Sequence, residues 1–292
     1  MIPASFEYVA PKSLAEATAF LRRTPGARPL AGGHDLLTQL KLRRLTATLL
    51  VDLNHVKELR GIHAEHDSGG ARAALKLGAM VTCRELIANS DVRQNAAALV
   101  DAANSVGDAQ TRNASTLGGS LANGDPASDL AAAVLALGGR LEIEGAGGMR
   151  TVESNNFFLG AFATVLEPGD LLVAVELPAP AAHSASAYVK FKNPVNGYPL
   201  CGVAAAITLG QSGAITQARI AVTGISAHPR RLPQLEQQVT GQTAEQATAH
   251  CIGVADGLHC ITDLFAGGDY RAHLADVLAA QAITAACKRA AA

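Results

Sequence analysis

The sequence has little charge, and the charge it has is balanced. Its 292 residues include 24 lysines and arginines against 25 aspartates and glutamates, for a formal net charge of −1 at pH 7. The cationic residues are scattered in ones and twos along the chain. A surface that binds a nucleic acid or an anionic membrane needs concentrated positive charge. The composition therefore argues against a polyanionic partner.

Paired cysteines are missing as well. The chain has five cysteines, an odd number, and no two of them have the C-x-x-C spacing: Cys83, Cys201, Cys251, Cys260 and Cys287. This pattern argues against a disulfide framework, a zinc site or an iron–sulfur cluster on this chain. It is typical of the reduced thiols of a cytoplasmic protein.

Long apolar runs and the familiar nucleotide-binding motifs are also absent. No run of about 18 apolar residues occurs, and the N-terminus lacks an apolar stretch with a basic flank. We therefore expect a soluble cytoplasmic protein without membrane insertion. No G-x-G-x-x-G opens a helix after a strand, and no G-x-x-x-x-G-K-[ST] occurs. A Rossmann fold and a P-loop are therefore unsupported, and any bound dinucleotide needs another architecture.

The first 175 residues or so show alternating strand and helix patterns, which favour an α/β or α+β arrangement. Ser13 with Glu16, and Thr82 with Glu85, have the spacing of a capping box and predict helix starts. The first helix should stop near residues 24–26, and two helical stretches are expected between residues 82 and 107. A buried strand is expected within "TATLLVDLNHV".

The C-terminal part has a different composition. Prolines and small residues in 176–191 predict a linker. Alternating apolar residues over 202–226 predict a hairpin that turns at 211–213. Thr243, with Gln246 three residues later, predicts a helix start. We expect a small domain of antiparallel strands and helices.

Two segments concentrate glycine with small polar residues: "RPLAGGHDLLTQLK" at 28–41 and "RNASTLGGSLANGDPASDL" at 112–130. Paired glycines let the backbone turn tightly and leave successive N–H groups uncovered, so that such a loop can surround an anion such as a pyrophosphate. In the second segment, Thr116, Ser120 and Asn123 supply polar side chains, and either Asp125 or Asp129 can bond a ribose hydroxyl. A lone glycine pair is more often a simple turn, but two such segments favour a ligand.

Together these motifs resemble the FAD-binding medium subunit of the molybdenum hydroxylases, the family of carbon monoxide dehydrogenase and xanthine dehydrogenase. The similarity extends over essentially the whole chain, including "FEYVAPKSLAEA", "FFLGAFATVLEPGDLLVAVELP", "KFKNPVNGYPLCGVAAAI" and "GGDYRAHLADVLAAQA". It implies an α+β fold with a two-part FAD-binding domain of the vanillyl-alcohol-oxidase (PCMH) type and a small α+β C-terminal domain. The implied boundaries are 1–58, 59–177 and 178–292.

The resemblance also implies which residues bind FAD. Asp129 would hold the adenosine side, Leu171 would touch the flavin, Lys190 lies in the segment that approaches it, and Tyr198 would lie against the isoalloxazine ring as a candidate gate for the electron acceptor. Asp35 stands where many members carry serine, and an aspartate beside a pyrophosphate repels it unless it is turned away. The residues implied to bind the FAD phosphates and the adjoining sugar are Ala31, Gly32, Gly33, His34, Asp35, Thr116, Leu117, Gly118, Gly119 and Ser120.

By the same resemblance, the chain is one subunit of a larger enzyme. A large subunit with the molybdopterin cofactor would oxidise the substrate, a small subunit with [2Fe–2S] clusters would carry electrons, and FAD on this chain would deliver them to a terminal acceptor. A dimer of heterotrimers is implied, and no residue of this chain needs to act as a general acid or base. A stand-alone flavin oxidase and a scaffold that has lost FAD are the alternatives.

Other chemistry-bearing residues favour simpler interpretations. His63 and His66, with Glu65 and Asp67, can be imagined as a metal site, but a hydrated loop is the better interpretation. Cys201 is expected to be a small buried apolar residue. Ser115, Thr116 and Ser120 lack a His/Asp constellation that would activate a nucleophile.

Overall fold

The structure is a computed structural model that describes residues 2–66 and 72–292. The strands are β1 (Glu7–Val9), β2 (Arg28–Leu30), β3 (Leu49–Asp52), β4 (Ile62–His66), β5 (Arg72–Gly78), β6 (Arg140–Gly145), β7 (Gly148–Glu153), β8 (Phe158–Gly160), β9 (Ala163–Thr164), β10 (Leu171–Pro178), β11 (Ser184–Lys192), β12 (Pro199–Leu209), β13 (Ile215–Thr223) and β14 (Arg230–Arg231). The helices are α1 (Leu14–Arg23), α2 (His34–Lys41), α3 (Cys83–Ala88), α4 (Ser90–Asn95), α5 (Ala97–Ser105), α6 (Ala109–Ala114), α7 (Leu117–Ala122), α8 (Asp129–Leu137), α9 (Pro233–Val239), α10 (Ala244–Ala249) and α11 (Gly268–Ala290).

The N-terminal part is a parallel sheet of order β1-β3-β2. Its central strand β3 is buried at every position, as the apolar run predicts. Ser13 caps α1 by accepting a hydrogen bond from the Glu16 N–H at 3.2 Å, and the helix ends at Thr24 as expected. In a complete capping box, the Glu16 carboxylate would accept from the backbone N–H of Ser13. It accepts instead from the backbone N–H of Lys12, one residue earlier, at 2.9 Å. The second helix of this part, α2, begins directly after the paired glycines of the first glycine segment.

A second, antiparallel sheet has the order β4-β5-β10-β6-β7, and helices α3 to α8 lie in the chain between β5 and β6. The capping box of Thr82 and Glu85 is complete, as predicted. The expectation of two helical stretches between residues 82 and 107 was wrong, because three helices occupy this region. Asn89 interrupts the first stretch: its backbone is extended, and its side chain caps α4 by accepting from the Val92 N–H at 3.0 Å.

Helix α8 packs between the two halves of the molecule, the N-terminal half up to Pro178 and the C-terminal half from Ser184 onward. Residues 129–136 of this helix are all buried, and the helix ends at Gly138 in the left-handed conformation. It packs against α5 and also against β12 and β13 of the C-terminal part. A helix that is apolar on every side needs such burial all round. Its N-terminal residue, Asp129, is therefore fixed in position by the packing of both halves.

The C-terminal part is an antiparallel sheet of order β11-β12-β13-β14, against which α11 packs. The predicted hairpin is confirmed, since β12 and β13 pair across the turn at residues 211–213. The predicted linker over 176–191 is much shorter than expected. β10 runs to Pro178 and β11 begins at Ser184, because the small residues after 183 pack into the sheet rather than forming a loop. In the part of the chain that the structure describes, no helix combines the length and apolar character that a membrane span requires.

Candidate functional site

A cleft of about 950 Å³ opens where the parallel sheet, the helices after β5 and the C-terminal sheet meet. Its walls carry most of the residues singled out in the sequence. Leu117 does not contribute to these walls, because its side chain is fully buried in the core beside Leu121. The predicted residues that line the cleft are Ala31, Gly32, Gly33, His34, Asp35, Thr116, Gly118, Gly119, Ser120, Asp129, Leu171, Lys190 and Tyr198.

The first glycine segment presents a helix N-terminus to the cleft. Gly33 precedes α2 with a φ of +73°, a left-handed conformation that glycine adopts without strain, and it has no side chain to cap the helix. The first N–H groups of an α-helix have no acceptor within the helix. These groups can therefore bind ligand oxygens, and the helix dipole favours a negative charge there.

Gly32 brings the two glycine segments together. A Cβ atom added to Gly32 would lie 2.0 Å from the carbonyl oxygen of Ala114, far inside van der Waals contact. A Cβ atom added to Gly119 would lie 2.7 Å from the Thr116 Oγ1 and 3.5 Å from the Cβ of Ala31. The absence of a side chain at Gly32 is thus required by the close approach of one loop to the other.

The second glycine segment differs from the expected anion-binding loop. The four backbone N–H groups of residues 117–120 already donate to protein acceptors, namely the Val81 oxygen, the Ala79 oxygen, the Thr116 Oγ1 and the Thr116 oxygen. The expectation that this segment leaves its N–H groups uncovered was therefore wrong. It supports the cleft by packing and by side-chain hydroxyls, whereas the open N–H groups belong to the first segment.

Thr116 caps α7, and replacing it with alanine is expected to lower the free energy of unfolding by about 1 kcal/mol. The Thr116 Oγ1 accepts from the Gly119 N–H at 3.1 Å, and Thr116 itself is buried. Thr116→Ser keeps the hydroxyl and serves as the matched control in urea unfolding followed by circular dichroism. Equal stability of the alanine and serine variants would contradict the capping role.

Asp129 and Lys190 form a buried ion pair at one wall of the cleft. The Lys190 Nζ lies 3.0 Å from the Asp129 carboxylate, with the two side chains 6% and 8% exposed. Lys190 also donates to the carbonyl oxygen of Ser105 at 2.9 Å, and the Tyr188 hydroxyl donates to the Asp129 Oδ1 at 2.5 Å. Both oxygens of Asp129 therefore have protein donors, and the carboxylate fixes the direction of Lys190. The contact of Asp129 with the adenosine side of FAD stays a prediction.

The environment of this pair controls its protonation. Burial raises the pKa of the Asp129 carboxyl, while the charge of Lys190 and the hydroxyl of Tyr188 oppose that rise. Burial and the charge of Asp129 raise the pKa of Tyr188 well above its ordinary value, so its hydroxyl remains a donor. Tyr188 was missed by the sequence reasoning. The available signal was its position two residues before Lys190 on a strand, where side chains at i and i+2 share a face.

Asp35 and Tyr198 meet across the cleft. The Tyr198 hydroxyl donates to the Asp35 Oδ1 at 3.2 Å. Burial first, and then the charges of Asp35 and Asp125, raise the pKa of the Tyr198 hydroxyl. Burial also raises the pKa of Asp125, and the charges of Asp35 and Asp129 add to this effect. The carboxylate of Asp35 is thus directed at a tyrosine hydroxyl, which accounts for an acidic residue in the first turn of α2.

The remaining candidates have structural roles or lie elsewhere. Cys201 is fully buried, which confirms its interpretation as a small apolar residue. Cys83 lines the cleft, but burial and the charge of Asp129 raise its pKa to about 12, so it is a thiol at neutral pH. The hydrated-loop interpretation was wrong for His63 and His66, which lie on β4 because this segment pairs with β5, whereas Asp67 lies outside the described residues. Within 2–66 and 72–292, no cluster of three or more potential metal ligands is present.

Comparison with known proteins identifies the class to which this fold and cleft belong. The family described as "FAD binding domain in molybdopterin dehydrogenase" matches residues 4–180, and the one described as "CO dehydrogenase flavoprotein C-terminal domain" matches residues 186–286. The chain belongs to the FAD-binding medium subunits of the molybdenum hydroxylase family, and it is an oxidoreductase flavoprotein whose cofactor is FAD. This confirms the family, the fold class and the cofactor expected from the sequence.

Individual relatives match over their full length. The chain is 34% identical to the carbon monoxide dehydrogenase medium chain of Hydrogenophaga pseudoflava over 293 residues, which cover 99% of each chain. Its fold superimposes on a chain of reconstituted CO dehydrogenase from Oligotropha carboxidovorans with a TM-score of 0.93 at 32% identity, covering 99% of this chain and 100% of that one. Quinoline 2-oxidoreductase from Pseudomonas putida 86 gives a TM-score of 0.91 at 30% identity, with 99% of each chain covered.

Proposed function

We propose that this chain is the electron-transfer subunit of a molybdenum-dependent hydroxylase or dehydrogenase. Electrons from [2Fe–2S] clusters on a small partner subunit pass through its FAD to a terminal acceptor, while a large subunit holds the molybdopterin cofactor and oxidises the substrate. The assembly is a dimer of heterotrimers in the cytoplasm. The five free cysteines of the chain support an intracellular location.

The observation that carries this proposal is the uncapped first turn of α2 inside the 950 Å³ cleft. An uncapped helix N-terminus suits the FAD pyrophosphate, because its N–H groups need acceptors and its dipole favours an anion. The residues present therefore fit the cofactor. The segment 31–35 would hold the phosphates, Thr116 and Ser120 would add hydroxyls, and Leu171 and Tyr198 would border the flavin.

Bound FAD supplies the redox chemistry, since a flavin takes up electrons singly and releases them in pairs. The residues of this chain hold and orient it. Lys190 is held by Asp129 and by the Ser105 carbonyl oxygen, so a positive charge is fixed at the cleft wall without the freedom of a surface lysine.

The match to medium chains along 99% of both sequences supports a subunit rather than a stand-alone oxidase. The open cleft with its uncapped helix supports a chain that holds FAD, in contrast to a scaffold that has lost it. The two alternatives make different predictions: a scaffold would hold no flavin, and a stand-alone oxidase would hold a flavin that substrate reduces directly.

The first test is the visible absorption spectrum of the purified chain, expressed alone and together with the products of neighbouring genes. We expect flavin bands in both preparations, and chromatography of the heat-released cofactor should identify FAD. Flavin absent from both preparations would contradict the proposal and leave the scaffold alternative.

The electron route is tested anaerobically with the assembled complex. Substrate should bleach the flavin when the small [2Fe–2S] subunit is present, and should leave it oxidised when the small subunit is omitted. The chain alone with substrate is the control. Direct bleaching of the isolated chain by substrate would favour the stand-alone oxidase.

A further inference from the structure

Tyr198 projects into the cleft from a turn that holds its own backbone in place. The connection between β11 and β12 is closed by two hydrogen bonds, one from the Asn193 N–H to the Tyr198 oxygen at 2.7 Å and one from the Gly197 N–H to the Asn193 oxygen at 2.9 Å. The Asn196 Oδ1 also accepts from the Tyr198 N–H at 3.0 Å. The backbone of Tyr198 is thus fixed locally, whereas its side chain, with the residue 39% exposed, needs a partner to hold one direction.

Asp35 supplies that partner from the opposite wall. It lies in the first turn of α2, 163 residues from Tyr198 in sequence, and its Oδ1 accepts from the Tyr198 hydroxyl at 3.2 Å. A carboxylate in the first turn of a helix is stabilised by the helix dipole. The acceptor is therefore held at a fixed place on the wall that carries the first glycine segment. The contact joins the N-terminal part of the molecule to the C-terminal sheet across the mouth of the cleft.

We infer that Asp35 is a positioning residue, whose carboxylate holds the Tyr198 hydroxyl and thereby sets the place of the tyrosine ring at the flavin end of the cleft. This inference rests on the proposed function in one respect, namely that FAD occupies the cleft. Because its pKa is raised by burial and by the neighbouring carboxylates, the Tyr198 hydroxyl remains protonated and continues to donate at neutral pH.

Asp35 has a second conceivable action, which the experiment must separate from the first. Its negative charge lies at a helix N-terminus proposed to bind a pyrophosphate, and it would weaken FAD binding by repulsion if it acted through charge alone. Asp35→Asn removes the charge but keeps an oxygen that accepts from the hydroxyl, whereas Asp35→Ala removes both. Tyr198→Phe removes the donor and keeps the ring. The three variants distinguish the hydrogen bond from the charge.

The direct measurement is fluorine NMR of the full chain labelled with 3-fluorotyrosine. The sequence has four tyrosines, so four resonances are expected, and Tyr198→Phe assigns one of them. We expect Asp35→Ala to shift the Tyr198 resonance and Asp35→Asn to leave it near its original position. Glu245→Ala, which removes a carboxylate from the first turn of α10, is the control and should leave the resonance unchanged.

A second readout uses the flavin itself, because a tyrosine in contact with the isoalloxazine ring quenches its fluorescence. Asp35→Ala should raise the flavin emission toward that of Tyr198→Phe, and the double variant should emit no more than Tyr198→Phe alone. Residues that act through one contact show this lack of additivity. Asp35→Asn should emit like the original chain.

The outcomes separate the inference from the proposed function. A Tyr198 resonance that stays in place in Asp35→Ala overturns the inference, and so do Asn and Ala variants that change FAD affinity equally without moving that resonance. A chain that binds no FAD contradicts the proposed function, and the fluorine spectrum of that chain still reports whether Asp35 holds Tyr198.

Discussion

Gly32→Val is expected to abolish FAD retention. The first carbon of any side chain at this position would lie 2.0 Å from the Ala114 carbonyl oxygen, and that oxygen belongs to backbone that cannot rotate away. The loop must therefore move, and the uncapped turn of α2 moves with it. Restoring the original loop geometry when FAD binds would cost roughly 3 kcal/mol, which corresponds to binding that is weaker by about 100-fold. The measurement is the FAD content of the purified variant together with its affinity for added FAD.

Matched glycine variants control for a general loss of stability. Gly147 and Gly267 have no atom within 4 Å of an added Cβ and no positive φ, so Gly147→Val and Gly267→Val should keep FAD. Thermal unfolding of each apoprotein shows whether Gly32→Val still folds. A folded Gly32→Val chain with full FAD occupancy would refute the placement of the pyrophosphate at the first glycine segment.

Lys190→Met is expected to destabilise the chain by about 3–5 kcal/mol at pH 8, because it leaves the buried Asp129 carboxylate without a cation. The Lys190 side chain is 6% exposed, so solvent cannot take over its role. Urea unfolding of the apoprotein, followed by circular dichroism, measures the loss. Lys192→Met, at an exposed lysine on the same strand, should change stability by no more than about 0.5 kcal/mol.

The same variant should depend on pH in a defined direction. Burial already raises the pKa of Asp129, and removal of Lys190 raises it further. A carboxyl whose folded pKa lies above its unfolded value of about 3.9 binds a proton on folding. The stability that it contributes is therefore full below the unfolded pKa and is lost as the pH rises from the unfolded pKa through the folded pKa. The deficit of Lys190→Met should therefore be smaller at pH 5 than at pH 8.

The double variant Lys190→Met/Asp129→Asn gives the complementary result. It removes the buried charge together with its partner, and it should recover part of the stability at pH 8. A Lys190→Met chain as stable as the original at pH 8 would contradict this account of the ion pair. Equal deficits at pH 5 and pH 8 would show that the loss comes from packing rather than from charge.

The parts of the site that sequence reasoning found are those with a local chemical signal. The glycine pairs, Thr116 and Asp129 each stand among small polar residues in an apolar chain, and all of them line the cleft. Their contacts with FAD stay predictions. Helix starts at Thr82 and Thr243 followed from residues three positions apart. Residues a few positions apart in sequence are enough to predict a helix start or a polar glycine loop.

The parts that were missed depend on distant partners. The N–H groups of residues 117–120 are used partly by Ala79 and Val81, which belong to another segment, so the loop sequence alone gave a wrong account of its hydrogen bonding. Asp35 meets Tyr198 across 163 residues of sequence. Leu117 has the same local context as its neighbours, yet its side chain faces the core. Such facts follow from the three-dimensional packing and have no counterpart in local composition.

The walls of the cleft come from both halves of the chain. Segment 31–35 belongs to the N-terminal half, whereas Lys190 lies on β11 and Tyr198 lies in the connection between β11 and β12. Helix α8 is buried between the halves. A ligand that touches both walls adds its binding free energy to the cost of separating them. With FAD bound as proposed, cofactor binding and docking of the two halves would form one linked equilibrium. The FAD-free chain is therefore expected to be cut more readily by an added protease between residues 179 and 183, which connect β10 to β11, than the FAD-loaded chain.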